Sequence, residues 1–329
     1  TDALRIIKTN FPVRTTLFLG WQDMNLNQLI WKDRKRAMAY FLIGISLLLI
    51  FVLGGQQFTD FRDPKVFWPL FFESLFLLVT SFVFRFFYKI DATFLIFVLG
   101  VPVGIFFTQI SLLVHISSLG SGIEALSMMN DLLMIFCLGA ITSAVGYYLG
   151  GKNKVPNEKI PKITFFAFCL FFLSCALVTA HLARSANPDF VYTSLNYRDF
   201  VDVPSFLIVG LSLIVVACIA SLQRGDFSSN LSSSMVFVFF IAVGLSTLAW
   251  YEVFVPFTQG DRSSVGPLLA LAVLTITYAI VPYIFYLFWL LHVGKNISNQ
   301  FGVANWHITE AYLFWFLICY GPAALVDLN

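Results

Sequence analysis

Nine apolar stretches set the terms for any fold this chain can adopt. Each is close to the ~20 residues that a helix needs to cross the hydrocarbon layer of a bilayer. They run over 38–55, 66–84, 92–114, 130–149, 163–183, 204–222, 232–251, 265–291 and 306–325, each bounded by charges or by Gly, Pro and Asn. Hydrocarbon offers no hydrogen bonds, so such stretches must satisfy their backbone groups internally, as helices. Barrel strands would alternate in character over about ten residues between polar turns, and no such rhythm is present. The expected fold is all-α, a polytopic transmembrane helix bundle of nine spans. Residues 1–37 form a polar and basic segment and 38–329 a single transmembrane domain.

Composition excludes the soluble alternative. Hydrophobic residues make up 59% of the 329 and charged residues only 12%, against about 25% charged in a soluble domain. There are 38 Phe and 18 acidic residues, more apolar surface than a water-soluble fold of this size can hide. A net charge of +2 gives no case for a nucleic-acid partner. The expected contacts are the lipid bilayer and membrane proteins, either other subunits or further copies of the chain. The five cysteines, Cys137, Cys169, Cys175, Cys218 and Cys319, all fall inside apolar stretches and form no CxxC pair. They read as small buried hydrophobes.

Orientation follows from the basic residues in the connections. With the N-terminus inside, segments 1–37, 85–91, 150–162, 223–231 and 292–305 face the cytoplasm and hold fifteen of the twenty Lys and Arg. Arg62, Lys65, Arg184, Arg198 and Arg262 remain outside. This arrangement predicts a cytoplasmic N-terminus, an external C-terminus, and residence in a bacterial plasma or inner membrane. The first apolar run begins near residue 38, so it is expected to serve as an uncleaved insertion signal. Leu4, Ile7 and Phe11, with Arg5, Lys8 and the Lys32–Arg36 cluster, suit a segment lying along anionic headgroups. The count of nine turns on 265–291, which contains Pro267 and Pro282. No polar turn divides it, so one tilted helix is expected rather than a broken pair.

Ionisable residues inside or beside spans are the functional clues, because they are costly in lipid and normally face a bundle interior or cavity. Under this topology Glu73, His115, Glu124, Asp131, His181, Arg184 and Glu252 group towards the outer side, with Gln109 below His115. Singly, such residues near a membrane surface need only water or snorkelling. Together they suggest an outward-facing polar vestibule. Glu310 stands apart in the last span, three residues from His307 and on the same helix face. If that helix starts near Trp306, Glu310 is about one turn deep. The histidines are singletons and no HExxH occurs, so no metal or haem set is assigned and the cofactor is unknown.

Glycine and proline add a second clue. The third span contains Gly100-Val-Pro-Val-Gly104, a GxxxG around Pro102, and the fourth carries Gly139, Ser143, Gly146 and Gly150 along one stripe. Close packing of these two helices is expected. The loop HISSLGSGIEALSMMND between them reads as a surface turn or a vestibule lining. Thr275, Thr277, Tyr278 and Pro282 make the eighth span a helix-break candidate.

Three classes of function fit. The first is a transporter or channel for a small solute or ion, with Glu73, Gln109, His115, Asp131, His181, Arg184, Glu252 and Glu310 as candidates. The second is a structural or docking subunit of a membrane complex. The third is a membrane-embedded enzyme acting on lipid or quinone. Against the first, the middle of the spans reads as poor in charge.

Overall fold

The structure is a computed structural model. It describes residues 64–119, 129–149, 159–185, 202–222, 227–258, 265–293 and 298–326. The basic segment 1–37, the first apolar stretch 38–55 and Glu124 lie outside the described residues.

The described residues form eight helices. They are α1 (Pro64–Tyr88), α2 (Ala92–Leu119), α3 (Met129–Tyr148), α4 (Lys162–Ser185), α5 (Val203–Leu222), α6 (Phe227–Thr258), α7 (Val265–Val293) and α8 (Ser298–Val326). Each contains one of the last eight apolar stretches or most of it. No strand occurs among the described residues. Six helices, α1, α2, α4, α5, α6 and α7, are long and apolar enough to cross a membrane. The chain is an all-α, polytopic membrane helix bundle. α7 is continuous from 265 to 293 with Pro282 inside it, one helix rather than two.

Helix ends carry their own signals. α1 stops where Lys89 takes a left-handed φ of 52°, and the Ile90 N–H turns back to the Phe84 carbonyl. Asp91 then caps α2, its Oδ1 accepting from the Thr93 N–H at 2.9 Å. Asp202 caps α5 in the same way, accepting from the Ser205 N–H at 2.7 Å. At the end of the bundle where α1 stops and α4 starts, Tyr88 and Thr164 hydroxyls bond at 2.5 Å. His292, near the end of α7, meets the Ile160 carbonyl just ahead of α4.

α2 is the central helix, buried along almost its whole apolar length, and it separates two unlike neighbourhoods. Towards α1, α4 and α7 the bundle is filled with aromatic rings. Phe84 and Phe168 lie 4.4 Å apart by centroid, Phe106 and Phe172 4.5 Å, and Phe76 and Phe172 5.2 Å. Such pairs pack as a dry solid. Towards α3, α2 presents glycine, and the backbones touch. A methyl built on Gly139 would sit 2.5 Å from the Gly100 oxygen and 2.7 Å from the Gly104 Cα. One on Gly146 would sit 2.5 Å from the Phe97 nitrogen. The glycine stripes therefore meet as expected, and Ser143 adds a bond from its hydroxyl to the Phe97 carbonyl at 2.6 Å.

Candidate functional site: a buried carboxyl at a glycine crossing

Glu73 lies nine residues into α1, roughly 13 Å from its start. It is 0% exposed, and neither carboxyl oxygen has a hydrogen-bond partner among the described residues. The side chain reaches the point where α2 crosses α3. Its Oε1 lies 3.0 Å from the position of a Gly139 methyl and 3.3 Å from that of a Gly104 methyl. The missing side chains of these two glycines make the room the carboxyl occupies. Nothing larger than glycine would leave both the close crossing and the carboxyl in place.

A carboxylate stripped of water and of partners is too costly to persist. Two chemical states resolve the cost: the neutral acid carrying a proton, or the carboxylate holding a cation. The near wall consists of glycine backbone, and the Gly100 carbonyl oxygen lies at the same crossing.

Other polar groups gather along the same helix. Gln109 is fully buried and donates through Nε2 to the Tyr312 hydroxyl of α8 at 2.8 Å, while its Oε1 has no partner among the described residues. Thr80, two turns from Glu73 on the same face of α1, is likewise buried, its hydroxyl without a partner among the described residues. Near the other end of α2, Asn305 of α8 donates to the Phe97 and Val98 carbonyls at 3.3 and 3.0 Å. It accepts from the Tyr283 hydroxyl of α7 at 3.0 Å. Buried polar groups with unused hydrogen-bonding capacity are uncommon and mark places where function or water intervenes.

The sequence candidates separate by burial. Glu73 and Gln109 are in the interior, the first against α2 and the second on it. His181 and Glu252 are exposed. Glu310 pairs with His307 at 3.2 Å, but the two side chains are 53% and 49% exposed, on the outer surface of α8. α8 starts at Ser298, two turns earlier than Trp306, so Glu310 lies well within the helix. His115, Asp131 and Arg184 belong to α2, α3 and α4, with side chains outside the described residues. Of the helix-break candidates, Pro102 and Pro282 both sit inside unbroken helices. Among the described residues no three His, Cys, Asp or Glu converge as a metal set. The cysteines are all free thiols; Cys175 and Cys319 are buried, but Cys218 is exposed on α5.

Sequence reasoning passed over Asn305, Tyr283 and Tyr312. Asn305 stands one residue before the last apolar stretch and read as loop. A usable signal was present: Pro102 lacks an N–H, which frees the carbonyl four residues earlier, that of Val98. A freed carbonyl in lipid needs a donor from another helix.

No protein-family model, no curated protein and no solved structure matches the chain.

Proposed function

We propose that the chain is an integral membrane transporter or channel for a small solute or ion, with Glu73 as its proton-binding group. The observation that carries this reading is a wholly buried carboxyl with no hydrogen-bond partner among the described residues, set against a glycine-lined helix crossing. Intramembrane carboxyls of this kind are expensive and belong to proton relays and coupling sites. The glycine crossing supplies the moving part. Backbones in contact through glycine have no side chains interlocked, so a small shift of α3 along α2 changes what Glu73 faces. Pro102, beside that crossing, removes a backbone hydrogen bond from α2 and gives it a point at which to bend. The buried polar groups Gln109, Tyr312, Thr80, Asn305 and Tyr283 extend the polar path beside α2 in this reading.

In this reading the first apolar stretch completes a nine-span path with the N-terminus in the cytoplasm, within a plasma or inner membrane. The outer-side residues His115, Asp131, His181, Arg184 and Glu252 then surround the mouth nearest Glu73. A docking-subunit reading is favoured by a different feature, the exposed His307–Glu310 pair on α8.

The test is flux through the purified chain in liposomes carrying an internal pH-sensitive dye. Under an imposed membrane potential, the native chain is expected to move protons, and Glu73→Gln to abolish that movement while leaving the protein folded. Proton movement that survives Glu73→Gln would remove the assignment of Glu73. Absence of any proton-linked flux in the native chain would remove the transport reading.

A further inference from the structure

The helices that wall in Glu73 are held unequally. α1, which carries it, is fastened at several levels. Its Phe84 and Phe76 rings pack on Phe168 and Phe172 of α4 at 4.4 and 5.2 Å by centroid. The Ser111 hydroxyl of α2 donates to its Lys65 carbonyl at 2.7 Å, and Tyr88 bonds to Thr164 at its far end. α3 is fastened only in its first half, where the Phe136 ring packs on Tyr312 of α8 at 5.0 Å. From Gly139 to Tyr148 its buried residues are Gly139, Ser143 and Gly146, none larger than serine. They meet α2 backbone directly. One bond from the Ser143 hydroxyl to the Phe97 carbonyl and one ring contact, Tyr147 on Phe97, are the side-chain ties of this half to α2. The rest of it is turned outwards, with Ile141 at 48% and Tyr148 at 86% exposure. Parting it from α2 therefore separates almost no interlocked side chains.

The Glu73 carboxyl lies where this half of α3 begins, against Gly104 and Gly139. While the crossing is closed the neutral acid fits there. A carboxylate would stand against glycine backbone without water or a donor. The closed crossing and the ionised acid thus exclude each other, and loss of the proton is linked to opening. No neighbouring charge reverses that sign. Lys65 and Arg85 on α1 are eight and twelve residues from Glu73. Asp91 and His115 of α2 stand thirteen residues before and eleven after Gly104, and Asp131 of α3 eight before Gly139. On α4, Lys162 and Arg184 are at the helix ends and His181 is exposed. On α7, His292 is tied to the Ile160 carbonyl. Near the depth of Glu73 the titratable side chains of α3 and α4 are thiols, Cys137 and Cys175.

We infer that the second half of α3, residues 139–148, is a proton-controlled gate on the Glu73 site. It lies closed on α2 while the carboxyl is neutral and parts from α2 when the carboxyl ionises. The inference rests on the reading of Glu73 as a group that takes up and releases a proton, and it names what that proton regulates. Glycines alone would mean only close packing. The buried carboxyl aimed between them, without a partner among the described residues, is what makes the contact conditional on charge. The geometry also gives the gate a direction. Tyr147 meets Phe97 near the start of α2, at the end of the bundle where α1 stops. Opening joins Glu73 to that end, which faces the cytoplasm in the nine-span path proposed above.

Pulsed electron spin resonance on the full chain in lipid nanodiscs tests it. Nitroxides attached through p-acetylphenylalanine leave the five cysteines untouched. One labelled pair is Tyr148 of α3 with Leu222 of α5, and the control pair is Phe87 of α1 with Leu222, all exposed positions. Distances are read from about pH 5 to about pH 10, a span that covers buried carboxyls. The Tyr148–Leu222 distribution is expected to gain a second population as pH rises, while Phe87–Leu222 stays single. Glu73→Gln is expected to hold the low-pH distribution throughout. Ser143→Ala removes a bond of the closed state, so its transition should fall lower by about half a unit to one unit. Infrared difference spectra against Glu73→Gln follow the carboxylic acid band of Glu73 in parallel. Loss of that band with α3 unmoved overturns the gate and leaves the proton-binding reading standing. A band that persists at every pH, with no movement, removes both. The same movement in Glu73→Gln, or an equal shift of Phe87, also overturns the gate. Movement with loss of the band, but no proton flux in liposomes, supports the gate and removes only transport.

Discussion

The side-chain amide of Asn305 donates to the Val98 carbonyl at 3.0 Å, and Val98 is the residue whose carbonyl Pro102 leaves without its helical donor. One helix thus repairs the defect that proline makes in another. The repair ties α8 to α2, and through the Tyr283 hydroxyl it ties α7 to both. The relationship has a direct consequence. Asn305→Ala should lower stability by about 1–3 kcal/mol, because it strands buried carbonyls and a tyrosine hydroxyl. In a Pro102→Ala background the N–H returns, Val98 is satisfied within its own helix, and the same substitution should cost less. A double-mutant cycle on thermal unfolding in detergent measures the difference. Equal costs in both backgrounds would disconnect Asn305 from the proline.

The same logic recurs at α1. Pro69 frees the Lys65 carbonyl, and the buried Ser111 hydroxyl of α2 donates to it at 2.7 Å. Ser111→Ala should cost about 1 kcal/mol, the scale of one interhelical bond in a membrane protein. Pro69→Ala should remove most of that sensitivity. Unfolding midpoints of the two single variants and the double variant decide it.

Glycine substitutions should divide sharply by position. A methyl on Gly139 meets backbone atoms at 2.5 and 2.7 Å, and backbone cannot rotate aside. Gly139→Ala should therefore force α2 and α3 apart at a cost of about 1–3 kcal/mol, the range for overpacking. Gly210 on α5 and Gly244 on α6 have nothing within 4 Å of a built methyl. Alanine there should be neutral or stabilising by up to about 1 kcal/mol, through helix propensity alone. Comparable losses at all three positions would mean that contact distance is not what the glycines serve.

What the sequence made legible, and what it hid, follows from the physics of a bilayer. Helix positions were readable because hydrocarbon permits only runs with internally satisfied backbones, and α1 to α8 fall on the last eight runs. The approach of Gly100 and Gly104 to Gly139 was readable because small residues recurring every three or four positions form a stripe. Which ionisable groups are inside was not readable. Hydropathy gives position along a helix, but in a membrane protein both the lipid face and the core are apolar, so periodicity carries little information about facing. The sequence grouped Glu73 with the outer-side residues and set Glu310 apart beside His307, without telling which of the two is buried. One is wholly buried against glycine and the other is half exposed on the bundle perimeter. The partners of Gln109 and Val98 were hidden for another reason, since they sit about 200 residues away in sequence.

Glu73→Gln is the substitution that separates a structural from a transporting role for the buried carboxyl. The glutamine amide has nearly the shape of the protonated acid and never carries charge. If Glu73 only fills the space left by Gly104 and Gly139, the variant should fold, pack and behave as the native chain does. If Glu73 exchanges a proton during transport, the variant should keep its unfolding temperature or raise it, because a group that is costly to ionise has been removed. Its proton-coupled flux should fall by roughly tenfold or more, the scale on which removing an essential proton carrier acts. Glu73→Asp sharpens the comparison: it retains the titrating group but withdraws it by one methylene from the glycine crossing, so partial flux is expected. Infrared difference spectra supply a reading independent of flux. The carbonyl stretch of a protonated carboxylic acid in an apolar site should be present in the native chain and absent from Glu73→Gln. Native flux with that band unchanged between the two proteins would place the transported proton elsewhere in the bundle.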